Sequence, residues 1–491
     1  MDADVIIVGA GPTGLTLANE LLLAGARVVV LDRLTERNPQ SKALNLQPRT
    51  AELFDARGWL APIADRALTN LPGGHFAGLP LDYSVFDTRF PYQVGIPQGL
   101  VEETLETRLT GAGVPVLRGT ELLGLSQDAD GVDLTVTGTG GERTLRAAYA
   151  VGADGGRSRV RKELGVAFPG RDGRISLVVA DVELADDPAL PTEWRLPSYE
   201  PAENTTTFLT PLADNVFRFL FASEDQREPG RDLPITEDEI LRALRQARGG
   251  GVRLVRVKHA SRFTDASRQA ERYRSGRVFL AGDAAHIHLP AGGQGLNLGV
   301  QDAVNLGWKL GAAVSGWAPD GLLDSYHSER HPVAARVLQN TRAQGVLTVP
   351  DPDVQALRAI TAELAATPDG NRLLAGMISG LDIRYAMPDG PAHPLLGARL
   401  PDVELRSGRG LLLGGRAGIA AGWRGRVDHT PGDDAEVRLV RPDGYVCFAG
   451  DTDGLDAALT RWFGAPDGQR THFSLSHKLP VASTVDGQPA K

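Results

Sequence analysis

The beginning of the chain alternates between continuously apolar runs and a helical pattern. Residues 5–8 are apolar and β-branched, which is typical of a parallel strand buried on both faces. Residues 15–23 are apolar at helical spacing, and a second β-rich run, residues 27–31, ends at Asp32. This succession predicts a strand–helix–strand unit at the start of an α/β fold.

A glycine-rich turn joins the first predicted strand to the helix. Residues 9–14 read Gly-Ala-Gly-Pro-Thr-Gly and fit the pattern G-x-G-x-x-G. Gly9 permits the tight turn, Gly11 lets the backbone approach a pyrophosphate, and Gly14 lets helix and strand pack closely. The N–H groups at the helix start would receive the phosphates, and Asp32 would accept hydrogen bonds from ribose hydroxyls. The motif predicts a dinucleotide site and leaves NAD and FAD open.

A second glycine-rich cluster follows much later in the chain. Residues 278–281 read as a strand, and Asp283 beyond it is placed to accept a hydrogen bond from a sugar-chain hydroxyl. Residues 292–295 then open a long helix with amphipathic spacing. The positive end of that helix would stabilise an anionic reduced flavin if it faced the N1–C2=O edge of the ring.

A third motif lies between these two. Residues 151–161 predict a strand end, an Asp-Gly turn and a run of basic residues. Asp154 and Arg157 would then lie near the diphosphate or near a docking dinucleotide. A simple salt-bridged turn is the alternative interpretation.

The three motifs together resemble the class A flavoprotein monooxygenases, which have the para-hydroxybenzoate hydroxylase fold. The resemblance covers residues 1–345. It is carried by residues 9–14, 153–161 and 282–309, with shorter agreements in residues 48–52, 98–105 and 326–332.

The resemblance implies FAD as the cofactor and assigns residues to it. Gln98, Lys42 and Ala43 would contact the flavin, and Asp283 its ribityl chain. Many relatives carry Glu at position 32 and Arg at position 42; Asp still bridges ribose hydroxyls, whereas Lys lacks the planar fork of Arg. The expected cofactor-binding residues are Gly9, Gly11, Pro12, Thr13, Gly14, Asp32, Arg33, Lys42, Ala43, Gln98, Asp154, Arg157, Asp283, Pro290, Gly292, Gly293, Gln294, Gly295, Leu296 and Asn297.

The resemblance also implies a reaction. An NAD(P)H- and O2-dependent monooxygenase would transfer one oxygen atom from a flavin C4a-hydroperoxide to a polycyclic, polyketide-like phenol. The chain carries a single complete nucleotide fingerprint, so NADPH or NADH would bind transiently in a groove. A Baeyer–Villiger monooxygenase and a flavin-dependent reductase without oxygen insertion are the alternatives. A flavin halogenase is disfavoured because the W-x-W-x-I-P segment is missing.

The residue that would deprotonate the phenol is not visible in the sequence. The candidates by residue type are His75, His259, Tyr83 and Tyr92, each of which is more often a structural group. No Cys/His spacing resembles a metal site.

Segments outside the flavin motifs alternate with period two, as residues 177–182, 205–209 and 216–221 do. An antiparallel sheet laid over the flavin would form the substrate pocket at a domain interface. We therefore expect a Rossmann-type FAD-binding domain interrupted by an antiparallel-sheet substrate domain. The FAD-binding domain would comprise residues 1–70, 99–170 and 266–345, and the substrate-binding domain residues 71–98 and 171–265.

The pattern changes after residue 345. Helical spacing over residues 354–374 and the prolines Pro388, Pro391 and Pro394 predict a helical linker over residues 346–392. Strand candidates follow at residues 409–413 and 437–440. Residues 393–491 resemble the C-terminal thioredoxin-like domain of the larger aromatic-ring monooxygenases. Cys447 stands alone without a C-x-x-C motif, which favours a structural or assembly role.

Composition and charge exclude other functions. The 491 residues carry a net charge of −9; this length argues for two or three domains, and this charge argues against nucleic-acid binding. The N-terminus lacks the basic start of a signal peptide, and the longest apolar stretch near it is too short to span a bilayer. We expect a cytoplasmic protein without membrane or nucleic-acid partners, which meets an aromatic small molecule and O2. Its oligomeric state stays open, with a homodimer as one option.

Overall fold

The computed structural model describes residues 1–185, 188, 190–194, 207–222, 234–248, 251–387, 392–433 and 436–468. The strand prediction at Thr205 and Thr206, the prolines Pro388 and Pro391, and residues 469–491 of the expected C-terminal domain lie outside these ranges. Among the described helices, none combines the length and the apolar character needed to cross a membrane.

The α-helices follow one another along the whole described chain. They are α1 (Pro12–Leu23), α2 (Pro48–Ala56), α3 (Leu60–Ala64), α4 (Gln98–Gly111), α5 (Arg159–Glu163), α6 (Glu237–Arg248), α7 (Gly295–Val314), α8 (Ser325–Leu347), α9 (Pro352–Ala365), α10 (Pro368–Ser379) and α11 (Leu455–Phe463). Short 3-10 turns span Gly282–Ala284, Ala291–Gly293 and Ala421–Trp423.

The β-strands of the first half are β1 (Ala3–Val8), β2 (Val28–Asp32), β3 (Asn45–Leu46), β4 (Thr69–Pro72), β5 (Gly74–Phe76), β6 (Leu79–Leu81), β7 (Tyr92–Gly95), β8 (Val116–Arg118), β9 (Glu121–Gln127), β10 (Val132–Gly138), β11 (Gly141–Gly152) and β12 (Gly170–Arg171). Those of the second half are β13 (Ser176–Leu184), β14 (Thr207–Ala213), β15 (Val216–Phe221), β16 (Leu254–Thr264), β17 (Ser267–Gln269), β18 (Arg274–Ser275), β19 (Val278–Leu280), β20 (His286–Ile287), β21 (Gly410–Leu413), β22 (Val427–Thr430), β23 (Val437–Val440) and β24 (Val446–Gly450).

The largest sheet has the order β18–β19–β11–β1–β2–β8, with β9 and β10 extending β11. Strand β1 pairs in parallel with β2 and β11, and β11 pairs in parallel with β19. Five of the six residues of β1 are buried, as its unbroken apolar run predicts for a central parallel strand. Helix α1 packs against α7, where a Cβ at Gly307 would lie only 2.4 Å from the Cβ of Glu20, so glycine permits the close approach.

The segment 171–265 forms a four-stranded antiparallel sheet of order β14–β15–β13–β16. Apolar residues alternate along its strands and so share one face of the sheet. On that face Val178, Ala180, Val182 and Phe219 pack against helix α6. The other face of the sheet carries Asp181 and the residues in register with it. The sequence thus positions one apolar face against a helix and leaves the second face for the interior of the molecule.

The segment 71–98, expected in the same domain, builds separate sheets. Strand β7 pairs with β4 and with β3 of the first segment, and β5 and β6 form their own hairpin. These strands lie beside the second glycine-rich motif, because Gln47, the residue after β3, hydrogen-bonds to Gly292 and Asn297. Helix α10 packs on this hairpin.

The C-terminal region has a sheet of order β22–β21–β23–β24. Strand β21 is parallel to β22 and antiparallel to β23, which is antiparallel to β24. The core beneath it joins Leu459 and Phe463 of α11 to Trp308 and Ala312 of α7. This region therefore shares its core with the helix that begins at the second glycine-rich motif.

Candidate active site

The N-terminal glycine motif forms an open cradle at the start of α1. A Cβ at Gly14 would lie 1.9 Å from the carbonyl oxygen of Gly9, whereas a Cβ at Gly11 would meet nothing within 4 Å. No side chain caps α1, and Pro12 contributes no N–H, so the N–H groups of Thr13 and Gly14 lack intrahelical acceptors. Tight packing on one side and free space on the other suit a bound pyrophosphate.

Asp32 is fixed beside this cradle. Its Oδ2 accepts a hydrogen bond from the Ala10 N–H and its Oδ1 from the Leu34 N–H, each at 2.8 Å. A carboxylate has further lone pairs, so Asp32 can still receive ribose hydroxyls. The neighbouring Arg33 is exposed.

Asp154 lies directly against the glycine turn. A Cβ at Gly9 would come within 2.2 Å of the carbonyl oxygen of Ala153. The Oδ2 of Asp154 accepts hydrogen bonds from the N–H groups of Arg159 and Val160 at the start of α5, and burial raises its pKa. Its Oδ1 is buried without a partner, as expected for an acceptor that faces a ligand. Arg157 is exposed on the same turn.

Gln98 and Ala43 lie together although 55 positions separate them. The Ala43 N–H donates to Oε1 of Gln98 at 3.1 Å, and the Gln98 N–H donates to the Ala43 carbonyl at 2.9 Å. The side-chain N–H of Gln98 also donates to Glu102 at 2.7 Å. The adjacent Lys42 is exposed.

The second glycine-rich motif is a loop, residues 282–297, which we call the cofactor loop. Asp283 lies exposed in its first 3-10 turn, and Pro290 precedes the second turn. Gly292 and Gly293 have φ values of 71° and 64°, a left-handed conformation that favours glycine.

Helix α7 begins within the last residues of this loop. Gln294 precedes its first residue and provides no side-chain cap, so the N–H groups of Gly295 and Leu296 have no intrahelical acceptor. Together with the Gly11 cradle, this arrangement fits both ends of an FAD molecule. Thr13 of the first motif packs directly against the second motif and against α7. A Cβ added to Gly282 or to Gly299 would come within 2.6 Å of the Thr13 hydroxyl.

A set of amide hydrogen bonds fixes the end of the cofactor loop. The Oδ1 of Asn297 accepts the Gln47 N–H at 2.7 Å, and its Nδ2 donates to the Gly293 carbonyl at 2.8 Å. The Nε2 of Gln47 donates to the Gly292 carbonyl at 2.8 Å. The side chain of Asn45 donates in turn to Gln93 at 2.5 Å. The sequence motifs include Asn297 and miss Gln47, Asn45 and Gln93.

The candidate bases do not form a cluster. Tyr83 is fully buried and its hydroxyl donates to Oε1 of Gln47 at 3.0 Å, so it supports the loop. Burial lowers the pKa of His75 to about 4, and its Nδ1 accepts the Gly78 N–H. His259 is half-buried on β16, and Tyr92 lies on β7 with its ring edge-on to Phe90.

Sequence reasoning also missed buried groups on α7 and α8. Asp302 and Arg330 are 0% exposed and contact each other directly. One signal was available: Asn297, Gln301, Asn305 and Lys309 repeat every four residues in a helix whose one other charged residue is Asp302 itself. Polar residues at this spacing form one stripe, which indicates a buried hydrogen-bonded seam.

Comparison with known proteins covers nearly the whole chain. A family model described as FAD binding domain matches residues 2–341, and one described as aromatic-ring hydroxylase, C-terminal, matches residues 393–466. A 12-dehydrotetracycline 5-monooxygenase/anhydrotetracycline 6-monooxygenase from Streptomyces rimosus is 47% identical over 95% of this chain and 100% of the relative. A rifampicin monooxygenase from Streptomyces venezuelae is 46% identical over 94% of this chain and 99% of its own.

The structural comparison agrees with these sequence matches. The solved structure of OxyS anhydrotetracycline hydroxylase from Streptomyces rimosus superposes with a TM-score of 0.86 at 46% identity, covering 95% of this chain and 100% of that structure. The chain therefore belongs to the FAD-dependent aromatic-ring monooxygenases, the class A flavoprotein family that its motifs resemble.

Proposed function

We propose that this protein uses NADPH or NADH and O2 to hydroxylate a polycyclic, polyketide-like phenol. The observation that carries the proposal is the open N-terminus of α7, which Gln47 holds beside β7 through its bonds to Asn297, Gly292 and Gln93. The relatives named above act, by their names, on anhydrotetracycline and rifampicin. Both names support a large fused-ring substrate.

The cofactor would be held along the residues already described. Gly11 and the N–H groups of Thr13 and Gly14 would bind the pyrophosphate, Asp32 the adenosine ribose, and Asp283 the ribityl chain. When bound, FAD supplies the acceptance of two electrons from a nicotinamide and the activation of O2. The N–H groups of Gly295 and Leu296, at the positive end of a 20-residue helix, would stabilise negative charge on a flavin edge bound against them.

The second face of the four-stranded sheet, which carries Asp181, would form one wall of the substrate pocket. Asp181 and Arg218 lie in register on this face, 2.5 Å apart and almost fully buried. Trp194 ties the edge strand β14 to the site: its indole N–H donates to the Pro211 carbonyl, and its ring would lie 3.0 Å from a Cβ at Gly95. A wall whose buried charges are paired excludes water, which protects oxygen chemistry from wasteful decay.

The β5–β6 hairpin would form the opposite wall. Strand β5 lies against the 3-10 turn Ala291–Gly293 of the cofactor loop. His75 in this strand is neutral at pH 7, since its pKa is about 4, so it is a weak base there. We accordingly assign the hairpin to orientation of the substrate.

The domain boundaries expected from the sequence are part of the proposal. The strand order of the C-terminal sheet, two parallel strands followed by an antiparallel pair and a helix, supports a thioredoxin-like domain. Cys447 is buried and burial raises its pKa, which supports a role without thiol chemistry.

The test uses the purified protein reconstituted with FAD. NADPH and NADH oxidation are followed with and without anhydrotetracycline and smaller phenols, and the product is analysed after reaction under 18O2. We expect stimulated oxidation and one labelled oxygen atom on an intact ring. Oxidation that no phenol or quinone stimulates would overturn the proposal, and a product without label would indicate a reductase. A ring-expanded lactone that carries the labelled oxygen atom would indicate Baeyer–Villiger insertion.

A further inference from the structure

The start of the cofactor loop is held by a buried carboxylate on α7. The Oδ2 of Asp302 accepts the Gly282 N–H at 3.1 Å and the Nε2–H of His286 at 2.7 Å. These two residues bracket Asp283, the expected ribityl contact. Asp302 is 0% exposed, so its contacts are not exchanged for water. Its side chain therefore sets the conformation of the segment that presents Asp283.

Arg330 on α8 compensates the charge of Asp302. Its Nε donates to Oδ1 of Asp302 at 2.7 Å, and its Nη2 donates to the Leu298 carbonyl at 3.3 Å. Arg330 is also 0% exposed. A buried guanidinium needs a hydrogen-bond acceptor for each of its nitrogens. The acceptor of Nη1, the third nitrogen of Arg330, is therefore part of the same buried network as Asp302.

That remaining partner lies beyond the linker helices. The Nη1 of Arg330 donates to the hydroxyl of Tyr385 at 3.0 Å. The Tyr385 N–H donates to the Gly397 carbonyl, and the Tyr385 ring lies 4.2 Å from the ring of Tyr445, centroid to centroid. Tyr385, near the end of the linker, is thus anchored to the C-terminal domain through Gly397 and Tyr445.

We infer that Asp302, Arg330 and Tyr385 form a positioning relay through which the C-terminal domain fixes the cofactor loop around FAD. The relay gives this domain a task that needs no dithiol. It holds Gly282 and His286 in place, and with them the carboxylate of Asp283. Its three residues act on the cofactor through other residues and are positioning residues.

The first experiment removes the end of the relay without changing charge or ring packing. We expect Tyr385→Phe to raise the Kd for FAD and the FAD dissociation rate about tenfold, because the hydrogen bond to a buried cation is lost. The visible circular dichroism of bound flavin should change in the same variant. Tyr445→Phe is the matched control: it removes a hydroxyl from the neighbouring ring, which no hydrogen bond of the described residues links to Arg330. It should leave the Kd within about twofold.

A second control separates positioning from general loss of stability. Leu459 is fully buried in the core beneath the C-terminal sheet and does not belong to the relay. Leu459→Ala should lower the Tm at least as much as Tyr385→Phe, because it opens a cavity in that core. The Kd for FAD and the flavin spectrum of Leu459→Ala should nevertheless match those of the unaltered protein.

Asp302→Asn tests the relay at its other end. The buried charge of Arg330 then loses its carboxylate, so we expect weaker FAD binding together with a more positive flavin reduction potential. The inference is overturned if Tyr385→Phe binds FAD like Tyr445→Phe, or if Leu459→Ala weakens binding equally. An unchanged potential in Asp302→Asn would also overturn it. All readouts are made without substrate, so their failure is distinct from failure of the proposed hydroxylation.

Discussion

The two ends of the FAD site are held by different kinds of contact. At the α1 end, the backbone of residues 9–14 and one carboxylate, Asp32, supply the cradle. At the α7 end, buried side chains reach the cofactor loop from segments far apart in the chain, with Gln47 and Asn297 separated by 250 positions. The α1 end depends on glycines that carry no side chain, and the α7 end depends on hydrogen bonds between particular side chains. They should therefore fail in different ways when altered.

The glycine end gives the largest expected effect. In Gly14→Ala the new Cβ would lie 1.9 Å from a backbone oxygen that cannot move aside, so we expect loss of soluble, folded protein. In Gly11→Ala the new Cβ meets no protein atom within 4 Å, so the fold should persist while FAD binding falls by at least about 100-fold through a clash with the phosphates. Circular dichroism and flavin fluorescence distinguish the two. A yellow Gly11→Ala protein with unchanged affinity would contradict the cradle.

Alterations at the α7 end should lower the free energy of unfolding, because buried charged residues hold α7 and α8 to the C-terminal domain. Glu329 accepts hydrogen bonds from Arg441 at 2.6 Å and from Lys309 at 2.8 Å, and all three are buried. Glu329→Gln leaves two buried cations with one remaining carboxylate, Asp443. We expect a loss of about 3–5 kcal/mol in the free energy of unfolding, measured by urea titration.

The control for this variant is an exposed ion pair that joins α4 to the residues after α3. Glu103 pairs with Arg66 at 2.9 Å, and both side chains are about 40% exposed in contrast to the buried cluster. Glu103→Gln should shift the urea midpoint far less than Glu329→Gln. Equal shifts would show that the buried cluster contributes no more than a surface pair.

The same contrast explains which parts of the FAD site can be predicted from the sequence. The strand–helix–strand unit and its glycine turn were predictable because their geometry is dictated within residues 5–32, by β-branched runs and by the absence of side chains. The second motif was visible for the same reason: Gly292 and Gly293 adopt positive φ, which the glycines themselves indicate in the sequence.

The partners of the cofactor loop were not predictable. Gln47 follows an ordinary short strand, and nothing near it in the chain indicates that its amide meets Gly292. Residue type alone makes Tyr83 a candidate base, but its environment is set by packing against Gly74 and Gln47. Chain topology decides such contacts, and local patterns do not encode them.

The stability of the protein in acid tests how completely His75, beside the cofactor loop, is shielded from water. Burial lowers the pKa of His75 to about 4, below the ~6.5 of an unfolded chain, so the unfolded state binds more protons between these values. The contribution is fully present above pH 6.5 and is lost as the pH falls towards 4. We expect His75→Asn to retain about 1–3 kcal/mol more of its neutral-pH stability at pH 4.5 than the unaltered protein. Parallel urea midpoints over this pH range would contradict the burial of His75.

The smallest effect should come from removing the hydrogen bonds of the Gln47 side-chain amide. The same experiment tests whether Tyr83 supports the cofactor loop or acts as a base. Gln47→Leu removes the donor to Gly292 and the acceptor of Tyr83, so we expect FAD affinity to fall by several-fold, which corresponds to about 1 kcal/mol in total. Tyr83→Phe removes one of these bonds and should show a smaller change in the same direction. If Tyr83 instead took a proton from substrate, its variant would bind FAD normally, lose turnover and shift the pH profile. A fully buried hydroxyl that already donates to Gln47 cannot reach a substrate without leaving that partner, so affinity is the quantity that should move.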